Sequence, residues 1–305
     1  MTTIPFNRDT FASEMKPKLS GSNVTLEFDN IESTLVKVGV EVAELIGVKV
    51  YEKICAGTAA TESEELNNKS KDYLQRAMLH FAVYQHTIFL IARIGNDGIT
   101  VKKNDDETTI FKYQQDELTN KLISDGWFWM NQLIKLLREN AEKFPEWKTS
   151  DEAKNFNELP ITTADFHKWV GVNSEYFMLL AMWIIREVWT DCVLSRSEKP
   201  KKTDTLTRAV CYEVMARACY RLAYYALPEP IRVDINNEMG KNHAAQSEVY
   251  IRDKISLQFQ SKADAYWVAV DMELAKNTAE ETESRASTQV YVPKSYSEND
   301  KFVAN

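Results

Sequence analysis

The residues best equipped for chemistry are few and widely spaced. Four histidines (His80, His86, His167, His243) and four cysteines (Cys55, Cys192, Cys211, Cys219) are the natural metal ligands and nucleophiles. His80 and His86 share one expected helix, where their spacing turns them about 120° apart, so they do not converge on one ion. Cys211 and Cys219 are separated by about 12 Å of helix, too far to bridge. The chain has no C-x-x-C, E-x-x-H or H-E-x-x-H, the spacings that hold zinc or di-iron centres. It also lacks G-x-x-x-x-G-K-[ST], G-x-G-x-x-G and G-x-S-x-G, which cradle phosphates or present a nucleophile. A calcium loop centred on Gly98 would begin at Arg93 and end at Asn104, and neither offers the required carboxylate. No catalytic residue, metal or cofactor is therefore expected. The histidines read as structural or surface residues and the cysteines as buried free thiols.

Other clusters suit contact rather than catalysis. Arg217 and Arg221 lie one turn apart beside Tyr220, Tyr224 and Tyr225. Arginine and tyrosine are enriched at interfaces, yet arginine stems also cover apolar surface within one chain. Both readings stand for Arg217, Tyr220 and Arg221. The run Val290-Tyr291-Val292-Pro293-Lys294-Ser295-Tyr296 is β-prone. It is too short to form a sheet alone, so it pairs within the chain, adds to a partner's sheet edge, or frays. Trp127, Phe128 and Trp129 read as core anchors. The acidic run 105–107 and the basic cluster of Arg196, Lys199, Lys201 and Lys202 read as solvated loops.

These residues must be positioned by helices. The chain has 305 residues, 44% of them apolar and 27% charged, with only 9 glycines and 8 prolines. That scarcity of breakers favours long helices and excludes collagen-like or low-complexity chains. The net charge of −8 argues against a general binder of nucleic acid or anionic membranes. The first ten residues lack the apolar stretch of a signal peptide. The longest apolar run, 176–185, is too short to span a bilayer.

The fold expected is a mainly α helical bundle of two similar halves, with an extended C-terminal tail. An N-terminal segment, 1–28, is broken by Pro5, Pro17 and Gly21. The first half, 29–145, opens with a helix capped by Asp29 and Glu32 and running toward Gly57. A polar loop follows at 58–69, then a helix over 71–92, a short extended segment or hairpin at 94–107, and a long helix over 111–142. Residues 145–160 look like a linker. The second half, 160–278, reads as helices over 173–194 and 204–226, a strand at Ile231-Arg-Val-Asp-Ile235, and a long helix over 244–277. A shift of 132 residues lays Leu74, Arg76 and Ala77 on Leu206, Arg208 and Ala209, consistent with an internal duplication. Residues 279–305 form a C-terminal arm.

Three stretches carry a resemblance: Ala43-Glu-Leu-Ile-Gly-Val-Lys-Val-Tyr51, Leu74-Gln-Arg-Ala-Met-Leu-His-Phe-Ala82, and Arg93-Ile-Gly-Asn96-Asp97-Gly-Ile99 before the long helix. The chain resembles structural proteins of tailed phages and prophages of Bacteroidetes. Its first half also looks like the helical head–tail connector (adaptor) proteins of tailed phages. The resemblance implies a virion protein forming a homo-oligomeric ring, twelve-fold by analogy, below the portal. There it joins capsid to tail and extends the DNA channel. Portal and tail or adaptor proteins are the implied partners, with Asn96 and Asp97 of the turn among the contact residues. DNA would pass without specific binding, and no membrane is involved. The chain is longer than the usual connector. Two other classes remain open: a soluble helical binding or regulatory protein, and an enzyme with an unrecognised helical site.

Overall fold

The computed structural model of the chain describes residues 3–19, 26–95, 98–101, 112–241 and 248–288. The architecture is mainly α-helical. Helix α1 (Phe11–Met15) is followed by α2 (Phe28–Ile46), α3 (Val48–Ala56) and α4 (Glu64–Ile91). Strands β1 (Ala92–Gly95) and β2 (Gly98–Val101) pair antiparallel, with Ala92 opposite Val101. Next come α5 (Lys112–Glu139), α6 (Pro145–Thr149), α7 (Asp151–Asn157), α8 (Thr163–Val170), α9 (Glu175–Leu180) and α10 (Met182–Val188). A π-turn over Trp189–Leu194 leads to α11 (Asp204–Arg221), α12 (Glu229–Lys241) and α13 (Glu248–Thr288).

The apolar spacing of α2 does what it predicts. Ile31, Leu35, Val38, Val42 and Ile46 are all buried. Its start differs from expectation: the helix begins at Phe28 with Glu27 at the N-cap and no side-chain cap bond. Glu32 is drawn away to Arg8 at 3.0 Å, so the capping box does not form. The expected single helix is split at Gly47, whose φ of 93° lies where only glycine is comfortable. Gly57 closes α3 in the left-handed conformation, as the sequence predicts.

Several stretches read as loops are ordered. The polar segment 58–69 contains the first two turns of α4. Asn67 anchors it, accepting from Ala60 N at 2.6 Å and donating to Ala60 O at 2.9 Å. The expected linker holds α6 and α7, with Trp147, Ala153 and Phe156 buried. The N-terminal segment buries Phe6, Phe11, Met15 and Leu19, and Gln75 of α4 pins it by donating to Pro5 O at 2.6 Å. Apolar side chains thus outweigh the local breakers. Thr162 and Asp165 form the full capping box of α8, a helix the sequence reading missed.

The strand expected at 231–235 is part of α12. Ile231 and Ile235 are buried while Val233 is 44% exposed. A strand would put all three on one face, whereas a helix puts the isoleucines together and Val233 on the other side. The second half therefore does not repeat the first half's helix, helix, β, helix order. The expected helix over 173–194 is also interrupted, near Ala181 and at the π-turn. One apolar core is continuous from Phe6 to Val270 and draws on both halves.

Candidate interaction surface

Helices α10, α11 and α13 meet at a network of charged side chains. Glu213 of α11 is buried at 6% exposure. Its carboxylate accepts from Arg217 Nε at 2.9 Å, Gln260 Nε2 at 2.9 Å and Trp267 Nε1 at 3.4 Å. Arg217 continues outward to Glu187 of α10 at 2.5 Å and Asp191 at 3.3 Å. Its Nη2 also lies 3.4 Å from Cys192 Sγ. Arg221 reaches the other oxygen of Glu187 at 2.5 Å. The hydrogen bond from Arg221, assisted by Arg217, holds the Glu187 carboxyl below its usual range. Burial alone would lower the Arg217 pKa, but the bond it donates to Glu213 and the charge of that carboxylate outweigh burial and raise it.

This geometry decides between the two readings of the arginine pair. Arg217 is committed to the chain's own carboxylates, with its side chain 20% exposed. Arg221 is more open and also lies over the Trp183 ring, 5.6 Å from its centroid. Tyr220 is 66% exposed. Tyr220, Arg221 and Trp183 thus form an accessible edge, and Arg217 braces it from beneath.

A longer surface runs along α13. Its 41 residues span roughly 60 Å. Ile251, Ile255, Ala263, Trp267 and Val270 are buried on the side toward α11, its main packing partner. Tyr250, Leu257, Val268 and Met272 are exposed, Leu257 and Met272 by 68% and 67%. At ~100° per residue these four fall within about 60° of arc, diametrically opposite the buried seam. Lys254 and Ser261 share that arc, and Val249, also exposed, falls on the seam side. The helix therefore carries a packed apolar face and, opposite it, an open line of apolar residues interspersed with polar ones. The sequence reading found neither, because alternating both faces cancels the one-sided periodicity by which amphipathic helices are recognised. The helix also runs eleven residues beyond its expected end at 277 and takes in the start of the expected arm.

The remaining sequence candidates separate as follows. Asn96, Asp97, Val290, Tyr291, Val292 and Tyr296 lie outside the described residues, as do His243 and the acidic run 105–107. Trp127 is buried, Trp129 half-buried and Phe128 exposed, so one of the three expected anchors is not one. In the basic cluster, Arg196 pairs with Asp271 at 2.9 Å and Lys202 with Asp165 at 2.8 Å. His80 is buried and its Nδ1 lies 2.7 Å from Arg76 O. Cys55, Cys211 and Cys219 are buried free thiols, while Cys192 is partly exposed. Burial pushes the Cys55 thiol up to about 11 and Cys219 to about 12. Among the described residues, no group of three or more His, Cys, Asp or Glu side chains could hold a metal ion. No described helix is long and apolar enough to cross a membrane.

The chain belongs to the family of unknown function DUF6712, which matches residues 42–157 and 191–290, more than half of its length. No curated protein and no solved structure matches it.

Proposed function

We propose that this protein is a structural component of a tailed-phage virion, a head–tail connector. In this reading, copies assemble into a ring, twelve-fold by analogy with connectors, that sits below the portal. The ring joins capsid to tail and extends the DNA channel. Its partners are the portal protein and tail or adaptor proteins, and the β-prone segment of Val290, Tyr291, Val292 and Tyr296 is a contact arm toward them. The observation that carries the reading is the open apolar line of α13, set opposite its core seam. A long rigid helix with a second apolar line suits a subunit built to be packed between neighbours. The net charge of −8 per subunit, repeated around a ring, keeps DNA phosphates from binding the wall. The edge of Tyr220, Arg221 and Trp183 supplies a second contact patch.

Negative-stain microscopy of the purified protein, alone and mixed with a candidate portal protein, tests the reading. Rings, or a collar added to the portal, are the expected result. A protein that stays monomeric with portal present, and is absent by mass spectrometry from purified virions, overturns it in favour of a soluble helical binding protein.

A further inference from the structure

A cavity of about 250 Å³ lies where α5, the loop before α9 and the start of α12 meet. Arg232 is part of its wall and is only 1% exposed, the largest fully buried side chain described. Its Nη1 donates to Leu227 O at 2.6 Å and its Nη2 to Ser124 Oγ at 2.9 Å. The Trp127 ring faces the guanidinium, 5.4 Å from centroid to Cζ. Nε has no hydrogen-bond partner. Among the described residues, no carboxylate comes within ion-pair distance of Arg232. A buried guanidinium is normally paired, because neutral acceptors and a ring face replace only part of its hydration. Desolvation accordingly lowers its pKa.

The rest of the wall is also rich in donors. Asn131 Oδ1 is occupied by Glu175 N at 2.6 Å and Tyr176 N at 3.3 Å, which fixes the amide and leaves its Nδ2 as the free end. The Ser124 oxygen already accepts from Arg232, so its hydroxyl hydrogen is left to donate. Glu229 is the acid on this wall; it is exposed and sits at the rim.

We propose that this cavity binds a small organic carboxylate. The carboxylate neutralises Arg232, with Ser124 and Asn131 as further donors and Trp127 covering the apolar part of the ligand. The volume fits a ligand of a few carbons and is below that of most drug-sized sites. The inference is independent of the assembly role.

The test is calorimetry and thermal denaturation of the full chain with acetate, succinate and inorganic phosphate at matched ionic strength. Saturable binding of succinate, with a rise in Tm that sodium chloride does not reproduce, is expected. Arg232→Met should abolish binding. In case that variant does not fold, Asn173→Trp at the exposed rim should block the cavity while keeping the native melting temperature. Glu229→Gln removes a like charge from the mouth and should tighten binding several-fold. Absence of saturable binding, binding of phosphate alone, or equal binding by Asn173→Trp would overturn the proposal. So would an unliganded cavity filled by an acidic side chain of another copy in the assembled protein.

Discussion

Glu213 and Arg217 stand one turn apart on α11, joined at 2.9 Å, with the carboxylate buried and the guanidinium reaching out to a second helix. The pair thus converts a point inside the core into a brace between α10 and α13. Removing Arg217 leaves Glu213 with Gln260 and Trp267 as donors but without a counter-charge. Breaking a buried pair from one side typically costs 3–5 kcal/mol; Arg217→Ala should fall toward the lower end, about 3 kcal/mol, because two neutral donors remain. Glu213→Leu should cost less than Arg217→Ala leaves behind, since it strands no buried charge. Urea denaturation of the two variants checks the order.

Helices α4 and α5 approach closely at Gly126. A Cβ there would stand 2.6 Å from the Phe81 ring, and Phe81 is buried. Gly126→Ala gains helix propensity but forces the ring to move, at a cost of about 1–3 kcal/mol. The expected net effect is destabilising, read as a lower urea midpoint with an unchanged m-value. Phe81→Leu in the same chain should recover part of the loss.

Acid should weaken the fold in two separate steps. Burial holds the His80 pKa below its ordinary 6.5, against the bond to Arg76 O and the charge of Asp125. The unfolded chain therefore binds the extra proton first, and stability falls as pH drops below about 6.5. Burial alone would raise the Asp72 pKa, but hydrogen bonds from Lys18 and Arg76 outweigh it and hold the carboxyl below 3.8. Its contribution is intact above the unfolded value and is lost only as pH falls below 3.8. His80→Gln should remove the first step and leave the second, as followed by denaturation midpoints across pH.

The open face of α13 makes its own prediction. Leu257→Glu and Met272→Glu place charges on exposed positions, so the circular dichroism spectrum should match the parent's and the unfolding free energy should stay within about 0.5 kcal/mol of it. Self-association should fall sharply, measured by sedimentation. An unchanged oligomer would mean that the face is not used between copies.

Thiol labelling separates the cysteines. One thiol, Cys192, should react with an aromatic disulfide reagent in the native protein, and all four after denaturation. The native reaction should be slow at neutral pH, because burial raises the Cys192 pKa and depletes the thiolate.

What the sequence made legible follows where its signals were one-sided. The stripe of α2 and the closing glycine Gly57 could be read because each position had one plausible use, whereas Gly47 was passed over because the apolar spacing runs on across it. Ile231 to Ile235 was misread because five residues of alternation suit a strand or one helical turn equally, and only tertiary burial separates the two. The brace around Glu213 was half legible: Arg217 and Arg221 stood out by spacing, but their partner Glu187 lies in another helix. Arg232 drew no attention, since an arginine at a polar position of the alternating run 231–235 carries no sign that it will be buried. One of its hydrogen-bond partners, Leu227 O, is local, but the other, Ser124, is brought from 108 residues away by tertiary packing.

The packing of α13 against α11 also governs how the protein bears load. The two helices lie side by side along a shared seam that includes Ile251, Ile255, Ala263 and Trp267. A pull along the α13 axis therefore acts in shear, and the seam residues resist it together. A pull across the axis would instead peel them apart in sequence. The same contacts make the subunit stiff in one direction and yielding in the other.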